Sequence, residues 1–308
     1  MISKFFTHGK IPAVVLFCAA LLLGGCGGNV TAEDTKLVMG TVARLTVRAD
    51  EITSQAALRD WLAVLTQTEE DADGAILATV ESSAGTGAWT ELPPDLYETL
   101  RLAQEIARRS NGAFDVTAGT LTQLWERARV EKLPPSPEAV ADARARVGYE
   151  ALELRTRAEN GQTKYEARLM KAGMQFDRGA LIKGLALDGI RNPRGAGNHD
   201  LLTTLALSDE VLSSSGDDER FFVYEGQRYH HLIDPRTGYP ALTGLASVTV
   251  VLPMETDVPE WQEHTGLLAD MLSTAIFVLG ATEGRHILAH FPVSRSIFVD
   301  TNGQMIEE

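Results

Sequence analysis

The sequence predicts an α+β fold with helices layered on mainly antiparallel sheets. Residues 36–48 alternate apolar and polar side chains and are rich in Val, Leu and Thr, a pattern typical of a β-strand. Further along the chain, Leu96, Leu100 and Ala103 recur at the spacing of an amphipathic helix. Two later stretches have the pattern of strand, short turn and strand, which favours antiparallel pairing of sequence neighbours. Helices and strands are therefore both present and interleaved.

Local signals set the order of the elements. Pro94 suits the first turn of a helix, and Gly112 and Gly280 suit helix ends. The pair Asn160 and Gly161 favours a tight hairpin turn. In chain order, the predicted helices are residues 54–66, 95–111, 138–147, 265–279 and 283–291, and the predicted strands are residues 36–48, 151–154, 163–167, 221–224, 228–233, 247–252 and 296–299.

The composition excludes some classes of protein. The chain has 308 residues, of which 44% are hydrophobic, so it can bury a sizeable core. Its 28 basic and 42 acidic residues give a net charge of −14, which argues against nucleic acid as a partner and against charge-driven adhesion to anionic lipid. The two cysteines, Cys18 and Cys26, both lie near the N-terminus, so we expect no disulfide in the folded domain.

The first residues are typical of an export signal. Lys4 and Lys10 precede an apolar run, residues 11–23, that is too short to span a bilayer as a stable helix. The run leads through two glycines to Cys26, a pattern at which lipoprotein signal peptides are cleaved and the cysteine is acylated. An ordinary signal peptide with a chance cysteine is the alternative. We expect residues 1–25 to be a lipoprotein signal peptide.

This interpretation divides the chain into three parts: the signal peptide, a flexible tether over residues 26–35, and a folded domain over residues 36–308 that forms one large body or two interlocked lobes. Lipidation at Cys26 would hold the domain on a membrane, facing the periplasm. Residues 1–25 contain two of the 28 basic residues and none of the 42 acidic ones, so the remainder carries a net charge of −16.

A cluster of oxygen-bearing side chains lies on a late helix. Asp270, Ser273 and Thr274 stand at positions i, i+3 and i+4 and so share one face of that helix. Carboxylate and hydroxyl oxygens of this kind suit Mg²⁺. The alternative is a polar stripe on a half-exposed helix. Because the rest of the helix is rich in Leu, Met, Ile and Phe, we expect it to be largely buried, where a carboxylate needs a partner.

A second candidate is the pair His230 and His231, which a strand delivers just before an Asp-Pro turn. Adjacent residues of a strand face opposite sides, so only one of the two histidines can point into a site. His231 shares parity with Ile233, and His230 shares parity with Leu232. The spacing alone does not decide which of them is functional.

Three glycine-rich or serine-rich segments complete the set of candidates. Residues 176–184 end a strand at an acid and start a helix, an arrangement that suits phosphates. Residues 112–119 have the same character, and residues 213–217 form a polar turn with many donors. Each segment alone is weak, since glycines at a strand-to-helix turn are commonly there for packing.

Taken together and in this order, the segments resemble the ApbE family, the FAD:protein FMN transferases. The resemblance covers nearly all of the chain after the proposed signal peptide. The segments that carry it are Met39-Gly40-Thr41, GAFDVTAG at 112–119, Leu124-Trp125, DRGALIKG at 177–184, SSSGDDERFF at 213–222, YHHLIDPRTGYP at 229–240 and ADMLSTAIFVLG at 269–280. Several spaced matches are far more specific than any one of them.

The resemblance implies an ApbE-like (T-fold-like) α+β architecture over residues 36–308 and a Mg²⁺-dependent flavin transferase. Such an enzyme binds FAD, splits its pyrophosphate, passes FMN to a threonine or serine hydroxyl of an acceptor and releases AMP. Acceptors in the family are exported subunits of membrane redox complexes. Family members commonly carry export signals or lipid anchors, as we expect here.

The resemblance also implies roles for individual residues. The magnesium ligands would be Asp270, Ser273 and Thr274, together with the backbone carbonyl of Ala180. His231 matches the histidine that acts as the catalytic base. The positions that match the walls of the FAD site are Met39, Phe114, Asp115, Val116, Asp177, Lys183 and Ile233.

Two departures from the family pattern keep alternatives open. Gly189 follows Asp188 directly, where the family has a helix end, a strand and an Asn-Ala-Gly-Gly-Asp-like motif, so an internal segment is missing here. Residues 68–71 replace a turn that usually carries an aromatic residue. Besides the transferase, a Mg²⁺-dependent FAD pyrophosphatase and a degenerate flavin-binding lipoprotein without activity are therefore open.

Overall fold

A computed structural model describes residues 30–38, 41–49, 51–56, 58–59, 75–182, 210–218, 220–254, 256, 258, 261 and 264–306. Several predictions lie outside these residues. They concern the signal peptide, Cys26, Met39, residues 68–71, Lys183 and the junction after Asp188.

The described part of the chain opens with an antiparallel hairpin rather than with one strand. Strand β1 (Val30–Val38) pairs with β2 (Thr41–Ala49) over their full lengths. The prediction of a single strand over residues 36–48 was therefore wrong, and β1 begins inside the segment predicted as a tether. The nine-residue ladder from Val30↔Ala49 to Val38↔Thr41 gives the earlier segment a backbone partner that its own pattern did not reveal. Of the predicted helix over 54–66, residues 51–56 and 58–59 are seen as helical.

A three-stranded antiparallel sheet forms the next unit, with the strand order β3-β5-β4. Strand β3 (Thr90–Leu92) lies at one edge, next to β5 (Gln162–Leu169), and β4 (Leu152–Glu159) lies at the other. The turn between β4 and β5 consists of Asn160 and Gly161, with φ values of +51° and +78°. Both values are those of a type I′ turn, so the hairpin predicted from this pair is confirmed.

Helices α1 (Ala75–Ser82) and α2 (Pro94–Arg109) pack on this sheet. Proline occupies the first turn of α2, and the chain leaves the helix through Asn111 and Gly112, whose φ values of +50° and +75° reverse its direction. The apolar face of α2 that the spacing predicted is buried, including Leu100 and Ala103.

A second group of helices follows. Helix α3 (Gly119–Glu131) packs against α4 (Pro137–Ala145), and a 3₁₀ turn (Tyr149–Ala151) leads into β4. Ser136 caps α4 by accepting a hydrogen bond from the backbone N–H of Ala139. Helix α5 (Arg178–Ile182) is short and follows Asp177.

The largest sheet has four antiparallel strands in the order β13-β12-β11-β6. The long helix α6 (Thr265–Leu279), predicted with these bounds, packs on β6 and β11 and is followed by α7 (Ala281–Leu288). Its apolar side chains are buried, as their number predicted. The strands are β6 (Glu210–Gly216), β11 (Leu245–Pro253), β12 (Arg295–Asp300) and β13 (Met305–Ile306).

Two small hairpins carry the histidine segment. Strand β7 (Phe221–Tyr224) pairs with β8 (Gln227–His230), and β9 (Ile233–Asp234) pairs with β10 (Tyr239–Pro240). The predicted strand 228–233 is thus interrupted after His230. The interruption is stabilised locally, because the backbone N–H of Leu232 donates to the ring of His230 and the carbonyl of Leu232 accepts from the N–H of Ala241.

The pairing is antiparallel in every ladder among the described residues, and one isolated parallel bridge joins Ala118 to Gln175. The predicted α+β class is confirmed. The buried apolar side chains form a large cluster around α2, α6 and β11 and a smaller one around Leu121, Trp125, Phe222 and Ile233. No helix within the described ranges has the length and apolar character that crossing a membrane requires.

Gly119 is the point of closest approach between two loops that the sequence singled out. Its N–H donates to the carbonyl of Gln175, and a Cβ atom at this position would lie 2.3 Å from the carbonyl oxygen of Phe176. That separation is far below van der Waals contact, so only glycine fits. The start of α3 and the segment before α5 are therefore in direct backbone contact.

Glu81 holds the same segment from the other side. Its carboxylate accepts a hydrogen bond from the backbone N–H of Phe176 at 3.0 Å and pairs with the Arg178 guanidinium at 3.1 Å. The Glu81 side chain is largely buried, so this contact is shielded from solvent. Helix α1 thereby holds the backbone before Asp177 and the side chain of the residue after it.

Gly119→Ala is expected to destabilise the fold by about 1–3 kcal/mol, because the added methyl group overpacks against the Phe176 carbonyl. Urea unfolding monitored by circular dichroism would measure the loss. Gly226→Asn is the control, since Gly226 has open space around its Cβ position and asparagine tolerates its φ of +80°. Equal stability of Gly119→Ala and wild type would contradict the close approach.

Glu81→Ala is expected to lower the free energy of unfolding by about 1.5–3 kcal/mol, because it removes a charged acceptor from a backbone N–H and a guanidinium. Glu91→Ala is the matched control, because Glu91 also accepts from a cation, Lys164, but is mostly exposed. The same unfolding experiment compares the two variants, and a Glu81→Ala loss no larger than the control's would rule out the clamp.

Candidate functional site

The oxygen cluster predicted on the late helix lies at a buried interface between α6 and β6. The Ser213 hydroxyl donates to Oδ1 of Asp270 at 2.9 Å. Oγ of Ser215 lies 2.8 Å from Oγ of Ser273 and 3.0 Å from Oγ1 of Thr274. Asp270 is 9% exposed and Ser273 is fully buried, so the alternative of a polar stripe on a half-exposed helix does not hold.

The hydroxyl groups of this interface form a series of hydrogen bonds whose donors and acceptors can be assigned. The Ser273 hydroxyl donates to the backbone carbonyl of Asp270 at 2.9 Å. A hydroxyl has one hydrogen, so Ser215 must donate to Ser273, and Thr274 must donate to Ser215. Ser273 therefore both accepts and donates a hydrogen bond within the protein. Thr274, whose hydroxyl is the first donor in this series of hydrogen bonds, is only half-buried.

The donor set fits a hard divalent cation with few protein ligands. Within the ranges that the structure describes, no three His, Cys, Asp or Glu side chains come together as a metal cluster. Helix α5, which contains Ala180, packs against α6, which contains Asp270 and Thr274. One carboxylate with neutral hydroxyl and carbonyl oxygens is a set that suits Mg²⁺, which keeps several waters and takes further ligands from substrate phosphates.

The two glycine-rich segments predicted to bind phosphates or flavin lie side by side. The N–H of Asp177 donates to the carbonyl of Val116 at 2.7 Å, next to the bridge between Ala118 and Gln175. Asp177 also caps α5, because its side chain accepts from the N–H of Ala180 at 3.2 Å. The structure thus brings together two predicted flavin-lining positions, Val116 and Asp177, and the predicted carbonyl ligand Ala180.

The side chains of residues 114–116 are occupied within the protein. Phe114 and Val116 are buried in the large apolar cluster. The Asp115 carboxylate accepts from the N–H and hydroxyl of Thr117 and from the N–H of Tyr149, all at 2.7–2.8 Å. Burial raises the pKa of Asp115, and the hydrogen bonds from Thr117 oppose that rise. These three side chains therefore support the loop from within the protein, and the place of the three residues in the wall of the flavin site stays a prediction.

The two histidines differ in their surroundings. His230 is 6% exposed, its Nε2 lies 2.9 Å from the carbonyl of Ala241, and its Nδ1 accepts from the N–H of Leu232. A carbonyl only accepts and an N–H only donates, so the ring is neutral and carries its proton on Nε2. His230 is structural. His231 is half-buried, and its N–H donates to the carbonyl of Arg220.

The histidine segment packs against α6, the helix that carries the oxygen cluster. The His230 ring packs edge-on against Phe277, with 5.6 Å between ring centroids. Phe277 lies about one helical turn beyond Thr274 and about two turns beyond Asp270. The segment that contains His231 is therefore anchored on the same helix as the predicted magnesium ligands.

Arg228 ties strand β8 to the end of β6. Its guanidinium donates to the backbone carbonyl of Asp217 at 2.8 Å and lies over the ring of Phe221. Asp217 follows directly after the strand that carries Ser213 and Ser215. The strand before the histidines and the strand behind the oxygen cluster are thus fixed relative to each other.

The turn after the histidines is rigid. Arg236 makes a bidentate pair with Asp234 at 2.8 and 2.9 Å, and this pairing raises the pKa of Arg236. Trp125 donates its indole N–H to the carbonyl of Gly238 at 2.8 Å. Ile233, a predicted flavin-lining residue, packs into the small apolar cluster around Trp125. The motif therefore joins α3 to the histidine segment.

Sequence reasoning missed several residues that build this site. Residues 213–217 were predicted as a polar turn, but Ser213 to Gly216 belong to strand β6. The alternation of Ser213 and Ser215 at a spacing of two was the signal that could have revealed the strand. Glu81 has no such signal, because its partners lie 95 and 97 residues away in the sequence.

Comparisons with known proteins identify the family and the fold. The FAD:protein FMN transferase of Treponema pallidum (strain Nichols) is 30% identical, over 92% of this chain and 90% of its own. The FAD:protein FMN transferase of Haemophilus influenzae is 27% identical, over 88% and 87%. The crystal structure of the ApbE protein from Thermotoga maritima covers 91% of this chain and 97% of its own with a TM-score of 0.72 at 24% identity. That of Pseudomonas stutzeri flavinyl transferase ApbE gives 0.63 at 21% identity, over 92% and 95%.

The comparisons also locate a difference in length. The alignment with the Treponema protein extends over 338 positions, more than the 308 residues of this chain, so the relative carries segments with no counterpart here. The sequence model of the ApbE family matches in two pieces, residues 39–191 and 189–298. The pieces meet directly after Asp188, where the sequence predicted a missing segment. Together the two pieces cover most of the chain, which therefore belongs to the ApbE family.

Proposed function

We propose that this protein transfers FMN from FAD to a serine or threonine hydroxyl of an exported acceptor flavoprotein and releases AMP. The family and the names of the relatives support a flavin transferase. The observation that carries the proposal is that the helix with Asp270 and Thr274 also anchors, through Phe277 and His230, the segment that contains His231.

The proposed reaction replaces a phosphoanhydride bond of FAD with a phosphoester bond to the acceptor. The acceptor hydroxyl oxygen attacks the phosphorus of the FMN half of FAD, and the bond from that phosphorus to the bridging oxygen breaks. AMP leaves with the bridging oxygen, and the hydroxyl proton passes to the imidazole of His231. Histidine suits this role because its pKa lies near neutral pH, and such a base accelerates reactions by about 10²- to 10⁴-fold.

The residues that would hold Mg²⁺ are Asp270, Thr274, the carbonyl of Ala180 and, as the sequence resemblance implies, Ser273. When bound, the ion supplies positive charge against the phosphoryl oxygens. Asp177 and the neighbouring backbone of the 114–119 segment would hold the FAD phosphates and flavin, with Met39, Lys183 and Ile233 completing the wall. The buried position of Ser273 leaves it better suited to hold its neighbours than to bind the ion directly.

The proposed setting is the periplasmic face of a membrane, with the chain anchored through a lipid on Cys26. The sequence pattern of residues 1–26 supports this proposal. The partners are FAD and exported acceptor subunits of membrane redox complexes, and the acidic charge of the chain argues against nucleic acid. An anchored enzyme would share a surface with anchored acceptors, which raises their effective concentration.

A Mg²⁺-dependent FAD pyrophosphatase is the second candidate. The break in the family match after Asp188 favours it, because a segment that the family has and this chain lacks would no longer help to keep water from the phosphorus. The two activities are distinguished by incubating the protein with FAD, Mg²⁺ and an acceptor domain. Both release AMP, but only the transferase leaves fluorescent flavin on the acceptor in a denaturing gel. Neither product would indicate a flavin-binding lipoprotein without activity.

His231→Ala is expected to lower the rate of FMN transfer by about 10²- to 10⁴-fold while FAD affinity stays close to that of wild type, because the base acts on the acceptor hydroxyl. Gel fluorescence measures transfer, and quenching of flavin fluorescence measures binding. His286→Ala on the exposed face of α7 is the control. Transfer at the wild-type rate in His231→Ala would refute the assignment of the base.

Asp270→Asn is expected to raise the Mg²⁺ concentration for half-maximal AMP release by roughly tenfold or more, because it removes the charge of the only carboxylate proposed as a ligand. Asp142→Asn, on the exposed face of α4, is the control. An unchanged Mg²⁺ requirement in Asp270→Asn would place the cation elsewhere.

A further inference from the structure

Three serines in succession on β6 face two different neighbours. Ser213 and Ser215 are two residues apart, so their side chains point to the same side of the strand, and both contact α6. Ser214 points to the other side, where its hydroxyl lies 2.7 Å from Oγ1 of Thr249 on β11. Ser213 and Ser215 therefore contact the predicted ligands, and Ser214 does not.

The two serines that face α6 reach different ligand positions. Ser213 donates to the Asp270 carboxylate, and Ser215 accepts from Thr274 while it donates to Ser273. A strand spacing of two residues thereby matches a helical spacing of four residues, from Asp270 to Thr274. The side chains of Asp270 and Thr274 are therefore both held by residues of β6.

We propose that Ser213 and Ser215 are positioning residues that orient Asp270 and Thr274 for binding of a divalent cation. This inference rests on the proposed function, since it takes Asp270 and Thr274 as magnesium ligands. A carboxylate rotates easily about its terminal torsion, and a threonine hydroxyl has two accessible rotamers in a helix. A hydrogen bond to each restricts these rotations.

Packing alone does not explain these serines. The other buried side chains of α6 are mostly apolar, such as Leu272 and Ile276, and both are fully buried. A buried hydroxyl is costly unless it is hydrogen-bonded, so an apolar residue at position 213 or 215 would meet the packing requirement without that cost. Partners that orient metal ligands are a known use of such hydrogen bonds, and their loss typically weakens metal affinity or activity about 10- to 100-fold.

The test measures Mn²⁺ binding to the purified full-length chain in detergent, without FAD, from the loss of the free Mn²⁺ signal in electron paramagnetic resonance. Ser215→Val and Ser215→Thr have nearly the same shape and differ in whether a hydroxyl is present, so any packing effect is shared. Ser213→Ala removes the donor to Asp270. Ser214→Ala is the matched control on the same strand, since it also loses one hydroxyl contact.

We expect Ser215→Val and Ser213→Ala to weaken Mn²⁺ binding by roughly tenfold, and Ser215→Thr and Ser214→Ala to stay within about twofold of wild type. Asp270→Asn identifies the binding event, because it should abolish the same signal change. Equal affinities of Ser215→Val and Ser215→Thr would overturn the proposal, as would a Ser214→Ala loss as large as that of Ser213→Ala. A wild-type chain whose Mn²⁺ binding does not respond to Asp270→Asn would overturn it too.

The outcome is separable from that of the proposed function. AMP release and acceptor labelling by wild type are measured in parallel with FAD and Mg²⁺. If wild type releases no AMP but the four serine variants order as expected in Mn²⁺ affinity, the proposed function fails and the positioning role stands. If wild type transfers FMN and the serine variants bind Mn²⁺ alike, the positioning role fails and the function stands.

Discussion

The packing of α6 against β6 is the contact on which the site depends. The helix buries an apolar face and, within the same interface, one carboxylate and two hydroxyls that meet serines of the strand. Burial of these polar groups is tolerated only because each has a hydrogen-bond partner. The same helix contacts the His230 ring through Phe277 and packs against α5. Any shift of α6 would therefore change the predicted metal ligands, the histidine segment and the Ala180 carbonyl together.

The sequence predicted the fold class and most of the elements because their signals are local. The 15-residue helix α6 carries its own pattern, and Asn160 with Gly161 specifies a turn that needs no other part of the chain. The misses have a common physical cause, which is a partner distant in sequence. Strand β1 was missed because its own sequence pattern does not show that it pairs with β2. Strand β6 was missed because three consecutive serines are typical of a turn, and only their contacts with α6 and β11 show that they belong to a strand. Glu81 could not be found at all, since it acts on Phe176 and Arg178.

Within the candidate site, the family resemblance and the residues gave different kinds of information. Spacing alone placed Asp270, Ser273 and Thr274 on one face, and the structure keeps them together. For the histidines, spacing stated only that one of two could point into a site. The hydrogen bonds of His230 argue against that residue as the base, because a ring that donates to Ala241 and accepts from Leu232 has no nitrogen left to take a proton from a substrate. The assignment of His231 as the base stays a prediction.

The two enzymatic candidates share the electrophile, the cation site and the base, and they differ only in which nucleophile reaches the phosphorus. Water is present at about 55 M in bulk solvent, so an acceptor hydroxyl competes only where the site excludes water and holds the acceptor in line. The residues proposed to carry the chemistry, Asp270, Thr274 and His231, lie outside the break in the family match after Asp188. The shortened segment therefore bears on the choice of nucleophile more than on the ability to split the pyrophosphate, and acceptor labelling is the measurement that separates the two.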